Sequence, residues 1–234
     1  MKPETLATLR RVSTATLTTQ MFKRGFRNVF MQGVRALGSY GDNMVGPATT
    51  VRNIPAREDI DVMASLGNPE HPQRKAVETI KPGHVLVMDC RGDARAASGG
   101  DILMTRLMRR EAAGVVTDGG IRDAGPISKM PLPVFCAGPS APLNIIQHHA
   151  VEIDAPIACG GVAVYPGDIL VGDADGVVVL PAHLADDVAA DAAAQEELEA
   201  FLLARIDAGA PLPGTYPPNQ ATLAAFEEWK ARQG

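Results

Sequence analysis

Three short runs of apolar and β-branched residues, separated by stretches of helical character, constrain the fold most strongly. They occupy residues 84–89, 114–118 and 132–137. Between the first two runs, Ser98 to about Arg110 shows the apolar periodicity of an amphipathic helix. Alternating strands and helices are typical of a layered α/β fold with parallel strands. We therefore expect an α/β architecture whose ligands bind beyond the carboxyl ends of the strands.

The segments that precede these strands and helices have weaker secondary-structure patterns, but the patterns still allow predictions. Residues 1–40 are expected to form an N-terminal helical segment, with Ser13 or Thr14 as an internal helix cap. The remaining predictions, in chain order, are helices over Thr5–Lys23, a strand over Val45–Val51, a loop over Asn53–Pro72 and a helix over Gln73–Ile80.

The part that follows Gln147 changes character to short strands broken by glycine and proline. Antiparallel pairs are expected there, with a tight turn at Asp175–Gly176. A long helix from Ala182 to about Ala208 should end at Gly209. Residues 182–234 then comprise this helix and an extended arm with a short terminal helix. The arm is expected either to wrap a neighbouring subunit or to fray, and residues 1–234 are read as one domain.

Composition excludes several classes of function. The net charge is −5 and only 4% of residues are aromatic, so neither a basic surface nor stacking platforms for nucleic acid are expected. No segment is apolar for long enough to predict a membrane span or a signal peptide. Three cysteines without a Cys-x-x-Cys motif favour a reducing compartment. A soluble, cytoplasmic protein that binds neither nucleic acid nor membrane is the expectation.

The pair Gly99-Gly100 precedes the predicted central helix. The backbone N–H groups of the first helical turn lack partners inside the helix, and the helix dipole adds positive potential there. We expect the N–H groups of residues 101–104 to point at one spot, which suits a carboxylate or a phosphate. The alternative is an ordinary helix cap made by Ser98 or Asp101.

A guanidinium and two carboxylates lie just beyond the second predicted strand, in the sequence Val-Thr-Asp118-Gly-Gly-Ile-Arg122-Asp123. Arginine can hold a carboxylate through two parallel hydrogen bonds. Aspartate offers a hard oxygen ligand to Mg²⁺ or Mn²⁺, cations that need only one or two protein carboxylates. Taken alone, such a dipeptide is more often an exposed ion pair of little consequence.

The spacing between these two features is more informative than either one. Twenty residues separate Asp101 from Arg122, which is enough for one helix and one strand to carry the chain out and back. Asp101, Arg122 and Asp123 are therefore predicted to lie side by side at one edge of the layer. The anion-binding start of the helix, the guanidinium of Arg122 and the carboxylates of Asp101 and Asp123 would then lie close together.

These motifs resemble those of the 4-hydroxy-4-methyl-2-oxoglutarate aldolase family, which shares its fold with the RraA-type regulator of ribonuclease E. The likeness runs from about Thr14 to Gly209 and is strongest over residues 83–139. It includes Gly-Gly-Asp, the twenty-residue spacer, Arg-Asp, and the turns Pro166-Gly167-Asp168 and Gly172-Asp173-x-Asp175-Gly176-Val177. The resemblance implies a layered α/β/β, swivelling-domain-like fold, assembled as a homotrimer or homohexamer with sites between subunits.

The resemblance also implies residue roles. Asp123 would ligate Mg²⁺ or Mn²⁺ directly, and Asp101 would contact the ion through water. A glutamate from a neighbouring subunit would do the same, with Glu199 preferred over Glu196 and Glu197. Arg122 and Asp101 would be catalytic, and the 2-oxo-acid substrate would bind to residues Gly100, Asp101, Ile102, Leu103, Met104 and Arg122, with the Leu103 and Met104 N–H groups on its carboxylate.

The expected function is a divalent-metal-dependent lyase that cleaves a 4-hydroxy-2-oxo acid to pyruvate and a carbonyl compound. Oxaloacetate decarboxylation is an expected side activity, because both reactions pass through pyruvate enolate. Two alternatives stay open: a protein-binding regulator of ribonuclease activity, and a related metal-dependent enzyme acting on a sugar-derived 2-oxo acid.

Several further residues are weighed and assigned smaller roles. Asp59 and Asp61 sit in a charged loop that could cover the site, although such a loop is more often simply solvated. Asp93 or Arg95 could line the pocket, since both follow a predicted strand at the same edge. The pair His148-His149 is expected to be structural, because neighbouring residues on a strand face opposite ways.

Overall fold

The computed structural model describes residues 1–232, whose strands form one eight-stranded sheet and two two-stranded sheets. The strands are β1 (Arg35–Ala36), β2 (Met44–Pro55), β3 (Val85–Asp89), β4 (Gly114–Thr117), β5 (Gly120–Ile121), β6 (Val134–Cys136), β7 (Gly138–Pro139), β8 (His148–Ile153), β9 (Ile157–Cys159), β10 (Val162–Val164), β11 (Ile169–Gly172) and β12 (Val177–Leu180).

The helical segments are of two kinds, α-helices and short 3₁₀ turns. The α-helices are α1 (Pro3–Leu9), α2 (Thr14–Lys23), α3 (Pro72–Thr79), α4 (Asp101–Arg109), α5 (Ala124–Ile127), α6 (Ala185–Asp207), α7 (Leu212–Thr215, kinked at Pro213 and Gly214) and α8 (Gln220–Ala231). The 3₁₀ turns cover Met63–Gly67, Asn144–Ile146 and Ala182–Leu184.

Strand β2 organises the main sheet, which has the order β1-β6-β4-β3-β2-β11-β12 with β8 also paired to β2. Its first residues pair antiparallel with β11, and its later residues pair with β3 on one side and β8 on the other. The central pairs β2–β3, β3–β4 and β4–β6 are parallel. The carboxyl ends of β3 and β4 therefore lie at one edge of the sheet.

The sheet is covered on both faces, which explains why its central strands are apolar throughout. Helices α3 and α4 pack on one face, around Leu86, Val115 and Leu107. The β9–β10 hairpin covers the other face, where Val164 contacts the cluster that contains Val87. Helices α1, α2 and α6 pack against β11 and β12 in a third cluster. The architecture is the layered α/β/β arrangement that the family resemblance implies.

Helix α4 is the crossover between the parallel strands β3 and β4, a connection that parallel pairing requires. It begins at the edge where β3 ends, because the chain must return along the sheet before β4 can start. Its apolar side, with Met104 and Leu107 buried, faces the sheet. Burial of these two side chains in the middle of α4 thus holds the first turn of the helix at the carboxyl edge of the sheet.

Most of the predicted elements are confirmed. Helix α2 begins after Ser13, whose hydroxyl accepts a hydrogen bond from Thr16 N at 3.1 Å as an N-cap. The long helix ends before Gly209, which has φ +92°. The tight turn at Asp175–Gly176 joins the antiparallel strands β11 and β12.

Two predictions of local structure are wrong in part. The N-terminal helical segment stops at Lys23, and residues 24–40 are irregular apart from β1. The predicted loop Asn53–Pro72 begins inside β2, because β8 extends that strand to Pro55. That loop also contains the 3₁₀ turn at Met63–Gly67.

The C-terminal arm neither extends away from the chain nor frays within the described residues. Helix α8 folds back onto α6, where Phe201, Phe226 and Trp229 form a small apolar cluster. The predicted domain runs to residue 234, and residues 233–234 lie outside the described part. Among the helices of residues 1–232, none is both long and apolar enough to cross a membrane.

Candidate functional site

The start of α4 and the Arg122–Asp123 turn meet at the carboxyl edge of the sheet. The backbone N–H of Arg122 donates to the carbonyl of Gly99 at 3.1 Å, and Ser98 N donates to Gly120 O at 2.7 Å. The short strand β5, which leads into Arg122, is held from its other side by β7. The predicted convergence of these two turns is confirmed.

Asp123 is the residue that joins the two turns. Its Oδ2 atom lies 3.4 Å from the backbone N of Asp101 and 3.5 Å from Nε of Arg122. The side chains of Arg122 and Asp123 are 40% and 36% exposed, so the pair is accessible to a ligand. Asp123 also has left-handed backbone angles, φ 58° and ψ 35°, which are unfavourable for a residue with a side chain. Such strain is often found at functional sites.

Gly100 makes this close approach possible. A Cβ atom at that position would lie 2.7 Å from Asp123 Oδ2 and 2.9 Å from Arg122 Cγ. Both distances are shorter than a normal non-bonded contact. The absence of a side chain at Gly100 therefore leaves room for the Asp123 and Arg122 side chains in these positions, whereas its φ of −132° is open to any residue.

The available donors at the start of α4 differ by one residue from those predicted. Met104 N donates to Gly100 O at 3.1 Å, which is the first hydrogen bond inside the helix. Its side chain is 1% exposed and belongs to the core. The assignment of Met104 to the substrate is therefore wrong, because Gly100 rather than a later residue is the N-cap. The N–H groups of Asp101, Ile102 and Leu103 have no partner inside the helix.

A cavity of about 410 Å³ opens over this junction. The sequence analysis identified the part of its wall that comes from α4 and the Arg122–Asp123 turn. It missed the rest of the lining, which the 3₁₀ turns and α3 supply: Leu66, Gln73, Arg74, Leu143 and Asn144. No local sequence signal distinguishes these five residues, because they reach the cavity only through tertiary packing.

Gln73 links α3 to the start of α4 and to the 3₁₀ turn that contains Asn144. Its side-chain amide donates to the carbonyl of Ser98, just before the Gly99-Gly100 turn. Its Oε1 accepts from Asn144 Nδ2 at 3.3 Å. Gln73 is 4% exposed, so these bonds are shielded from water and fix α3 against the start of α4.

The acidic side chains present suit a particular kind of cation. Within residues 1–232, no three His, Cys, Asp or Glu side chains are grouped so that they alone could hold a metal. Asp123 and Asp101 offer one or two carboxylates at an open position, a set that Mg²⁺ or Mn²⁺ can use while keeping most of its waters. Glu199 lines a separate cavity beside α6, together with Glu196. It accepts a hydrogen bond from Gln195 Nε2 at 2.8 Å.

Asp118, the other carboxylate of the predicted site, has a structural role. It is 6% exposed, and it accepts backbone N–H groups of Cys90, Gly92 and Gly160 at 2.6, 2.9 and 3.3 Å. These bonds join the ends of β3 and β4 to the β9–β10 turn. Burial raises the pKa of the neighbouring Cys90 thiol to about 12, so Cys90 packs rather than acts as a nucleophile.

The remaining candidates lie away from the cavity. Asp93 pairs with Arg95 at 2.7 Å, which holds the pKa of that carboxyl well below its usual range. Asp61 is buried and accepts a hydrogen bond from the backbone N of Arg57 at 2.7 Å. It also contacts His149 Nδ1 at 2.7 Å, so it fastens the loop to β8. The charged loop that contains Asp59 and Asp61 contributes no residue to the cavity lining, although Leu66, which follows that loop, does.

Three known proteins are similar to this chain in sequence or in structure. A protein of Halalkalibacterium halodurans, provisionally named a 4-hydroxy-4-methyl-2-oxoglutarate aldolase, is 36% identical over 140 residues. That alignment spans 60% of this chain and 60% of the relative. Streptomyces coelicolor RraAS2, described as an unusual member of the RNase ES inhibitor RraA protein family, matches with a TM-score of 0.75 and 33% identity, over 86% of this chain and 96% of that one.

A third protein, an uncharacterized one from Pseudomonas syringae pv. tomato, shares the fold over most of both chains. Its TM-score is 0.81 at 23% identity, with 94% of this chain and 95% of that one covered. The conserved architecture therefore extends to nearly the whole chain. The match to the RraA-like family, described as Aldolase/RraA, spans residues 14–179, and this chain belongs to that family.

Proposed function

We propose that this protein is a divalent-metal-dependent lyase that cleaves a 4-hydroxy-2-oxo acid to pyruvate and a carbonyl compound. The observation that carries the proposal is the contact of Asp123 with both Arg122 and the first turn of α4, inside one accessible cavity. Membership of the Aldolase/RraA family and the aldolase name of the Halalkalibacterium relative support it.

The substrate would be held at its acidic end. The N–H groups of Ile102 and Leu103 would donate to the carboxylate, helped by the positive end of α4. Arg122 would lie against the 2-oxo oxygen and offset the negative charge that develops there during cleavage. Asp101 would orient the water that accepts the proton of the 4-hydroxyl group.

Asp123 would hold the divalent ion directly, with Asp101 contacting it through water. Bound Mg²⁺ or Mn²⁺ would supply a Lewis acid for the 2-oxo group. A glutamate from a second copy of the chain, with Glu199 our choice, would complete the ligand set through water. This part of the proposal requires a second copy of the chain, because Glu199 lines a different cavity of its own subunit. The proposed assembly is a homotrimer or homohexamer.

Oxaloacetate decarboxylation is the proposed side activity. Loss of carbon dioxide from oxaloacetate leaves the same pyruvate enolate that retro-aldol cleavage produces. A site that stabilises this enolate through Arg122 should accelerate both reactions.

The test compares wild type with Asp123→Asn, which removes the charge and keeps the size of the side chain. We expect pyruvate release from 4-hydroxy-4-methyl-2-oxoglutarate to need Mg²⁺ or Mn²⁺, to stop with EDTA and to fall at least about 100-fold in the variant. Circular dichroism should show an intact fold. The matched control is Asp42→Asn, an exposed carboxylate outside this cavity. Equal activity of Asp123→Asn and wild type would contradict the proposal.

A second candidate function is regulation of a ribonuclease by protein contact. The similarity to Streptomyces RraAS2 over most of both chains favours it, given that protein's description. Inhibition of a ribonuclease by wild type and by Asp123→Asn alike, without any pyruvate release, would support this alternative. A third candidate retains the metal site and acts on a sugar-derived 2-oxo acid, which a substrate panel would reveal.

A further inference from the structure

The segment between β2 and α3, residues 57–70, reverses the usual arrangement in which apolar side chains point inward. Its exposed residues include the apolar Ile60, Val62 and Met63, whereas the only buried residue of the segment is a carboxylate, Asp61. None of its side chains belongs to a hydrophobic cluster of the described chain. Burial of apolar surface therefore does not hold this segment in place.

One hydrogen-bonded pair joins the segment to the sheet. Oδ1 of Asp61 lies 2.7 Å from Nδ1 of His149 on β8, and its Oδ2 accepts from the backbone N of Arg57 at 2.7 Å. Because an ionised carboxylate only accepts hydrogen bonds, Nδ1 of His149 carries the proton. Within residues 1–232, the other hydrogen bonds of the segment are internal or reach its neighbours His71 and Lys75. The position of the segment on the sheet thus depends on the Asp61–His149 pair.

The surroundings of the Asp61–His149 pair make its loss costly. The Asp61 side chain is 2% exposed and that of His149 is 28% exposed. A hydrogen bond to a charged group is stronger than a neutral one, and stronger still when it is shielded from water. Without His149, Oδ1 of Asp61 would be buried without a donor, which is unfavourable. The carboxylate would then move into water and take the segment with it.

Leu66 connects the position of the segment to the candidate cavity. It belongs to the 3₁₀ turn Met63–Gly67 and lines the cavity, together with residues of α3 and α4. The turn is held by bonds of its own, such as the one from Ser65 N to Val62 O at 2.9 Å. Because the turn begins two residues after Asp61, a displacement of Asp61 should move the turn as a unit.

We propose that Asp61 and His149 are positioning residues for the cavity: their pair holds the 3₁₀ turn in place, so that Leu66 stays in the cavity wall. The proposal rests on the proposed function in treating this cavity as the substrate site. Neither Asp61 nor His149 lines the cavity, so both act through Leu66 rather than on the substrate. When the pair is broken, the turn should open and the fraction of molecules with a complete cavity should fall.

The first measurement follows the turn itself and needs no activity. All three native cysteines are buried, so Leu66→Cys adds a thiol whose reaction with a thiol reagent reports opening of the turn. This parent protein is compared with derivatives that also carry His149→Leu, which removes the donor, or His149→Asn, which keeps an N–H donor near the position of Nδ1. The matched control adds Asp59→Asn, because Asp59 lies in the same segment and its side chain is 66% exposed.

His149→Leu should raise the labelling rate of Leu66→Cys about 10- to 100-fold, the factor expected for loss of a hydrogen bond to a charged group. His149→Asn should raise it less, and Asp59→Asn should leave it within about threefold of the parent. Met63→Cys calibrates the assay, because Met63 lies in the same turn and is 65% exposed. It should react quickly with and without His149→Leu.

The second measurement is the steady-state kinetics of pyruvate release. His149→Leu should raise KM about 3- to 10-fold and leave kcat within about twofold, because fewer molecules have a complete cavity while the groups proposed for the chemistry are unchanged. Leu66→Ala should raise KM similarly, and the double variant should be no worse than either single one, since both changes remove the same contact. Asp59→Asn should behave as wild type.

Four results would overturn the proposal. Two are an unchanged labelling rate in His149→Leu and an equal acceleration by Asp59→Asn. A third is slow labelling of Met63→Cys, which would show that a second copy covers the turn and holds it. The fourth is additivity of His149→Leu and Leu66→Ala in KM, which would mean that the pair acts by another route.

Two further outcomes are separated by design. If circular dichroism shows that His149→Leu does not fold, Asp61→Asn replaces it, because asparagine keeps the size of the side chain and removes the charge; the same acceleration of labelling is expected. If wild type releases no pyruvate, the lyase proposal fails, and the labelling rates alone decide whether Asp61 and His149 position Leu66.

Discussion

Asp101 and Asp123 are 22 positions apart in the chain, yet the backbone N of Asp101 lies 3.4 Å from Oδ2 of Asp123. The contact links the positive end of a crossover helix to a carboxylate in a strained turn. Because Asp123 makes no side-chain cap for its own helix α5, its carboxylate stays directed toward α4. The properties of the candidate site depend on this pair being held close together.

Replacing Gly100 by alanine should damage the site without unfolding the protein. The added methyl group would lie 2.7 Å from Asp123 Oδ2, so the carboxylate must move away from α4. We expect Mn²⁺ affinity to fall and pyruvate release to drop about 100-fold, since displacements of about 1 Å can have that effect. Calorimetry with Mn²⁺ and a pyruvate assay measure the two quantities.

The control for this variant is Gly125→Ala. Gly125 lies two residues after Asp123, and a Cβ added there would meet nothing within 4 Å. It should bind Mn²⁺ as wild type does. Equal behaviour of the Gly100 and Gly125 variants would show that the close approach at Gly100 is unimportant.

Substitution of Asp118 by asparagine should lower stability. An amide NH₂ would replace one of the two oxygens that accept the backbone N–H groups of Cys90, Gly92 and Gly160. A buried charge-assisted network of this kind should lose about 2–4 kcal/mol of unfolding free energy. Urea denaturation measures the loss, and Asp42→Asn, which is exposed, should stay within about 0.5 kcal/mol of wild type. A stable Asp118→Asn protein that has lost Mn²⁺ binding would instead return Asp118 to the site.

The sequence predicted the parts of the site that depend on chain order. Strands β3 and β4 have strong apolar runs, and the spacing between Asp101 and Arg122 follows from one crossover. The turn between Asp118 and Asp123 determines the directions in which their two carboxylates point. Asp118 turns inward, because three backbone donors surround it, and a sequence pattern carries no information about those donors.

The part of the cavity lining that α3 and the 3₁₀ turns supply could not be predicted for a related reason. Arg74 resembles any polar residue at the start of a helix, and only the packing of α3 beside β8 and α4 brings it to the cavity. Leu66 and Asn144 belong to 3₁₀ turns that have no distinct sequence pattern. The one-residue error at Met104 arose because Gly100, rather than Ser98 or Asp101, caps α4.

Stability should decrease as the pH falls below about 6.5, and His148 should account for part of the decrease. Its side chain is 1% exposed, and burial lowers its pKa. An unfolded histidine binds a proton near pH 6.5, whereas native His148 stays neutral until a lower pH. The unfolded state therefore takes up more protons in this range, which favours unfolding as the pH falls.

The measurement compares urea denaturation of wild type and His148→Leu at pH 7.5 and pH 5.5. Between these two values, wild type should lose more unfolding free energy than the variant. Burial raises the pKa of Asp89 and Asp168, which has the opposite effect on the pH dependence. His71 and His84 have lowered pKa values and act in the same direction as His148. These four groups are common to both proteins, so the difference isolates His148, and identical pH dependence would contradict the assignment.

Helix α8 provides a prediction about the C-terminal segment, because Trp229 is the only tryptophan of the chain. Its ring lies 5.6 Å from Phe201 and 5.9 Å from Phe226. Phe226→Ala should release Trp229 to water, which shifts its emission to longer wavelength, while the cooperative unfolding of the sheet followed by circular dichroism stays unchanged. Leu223→Ala, on the exposed part of the same helix, should leave the emission as in wild type. Because α8 packs on the α6 of its own chain, the wild-type emission should not depend on protein concentration. A shift on dilution would mean that α8 packs against a neighbouring subunit instead.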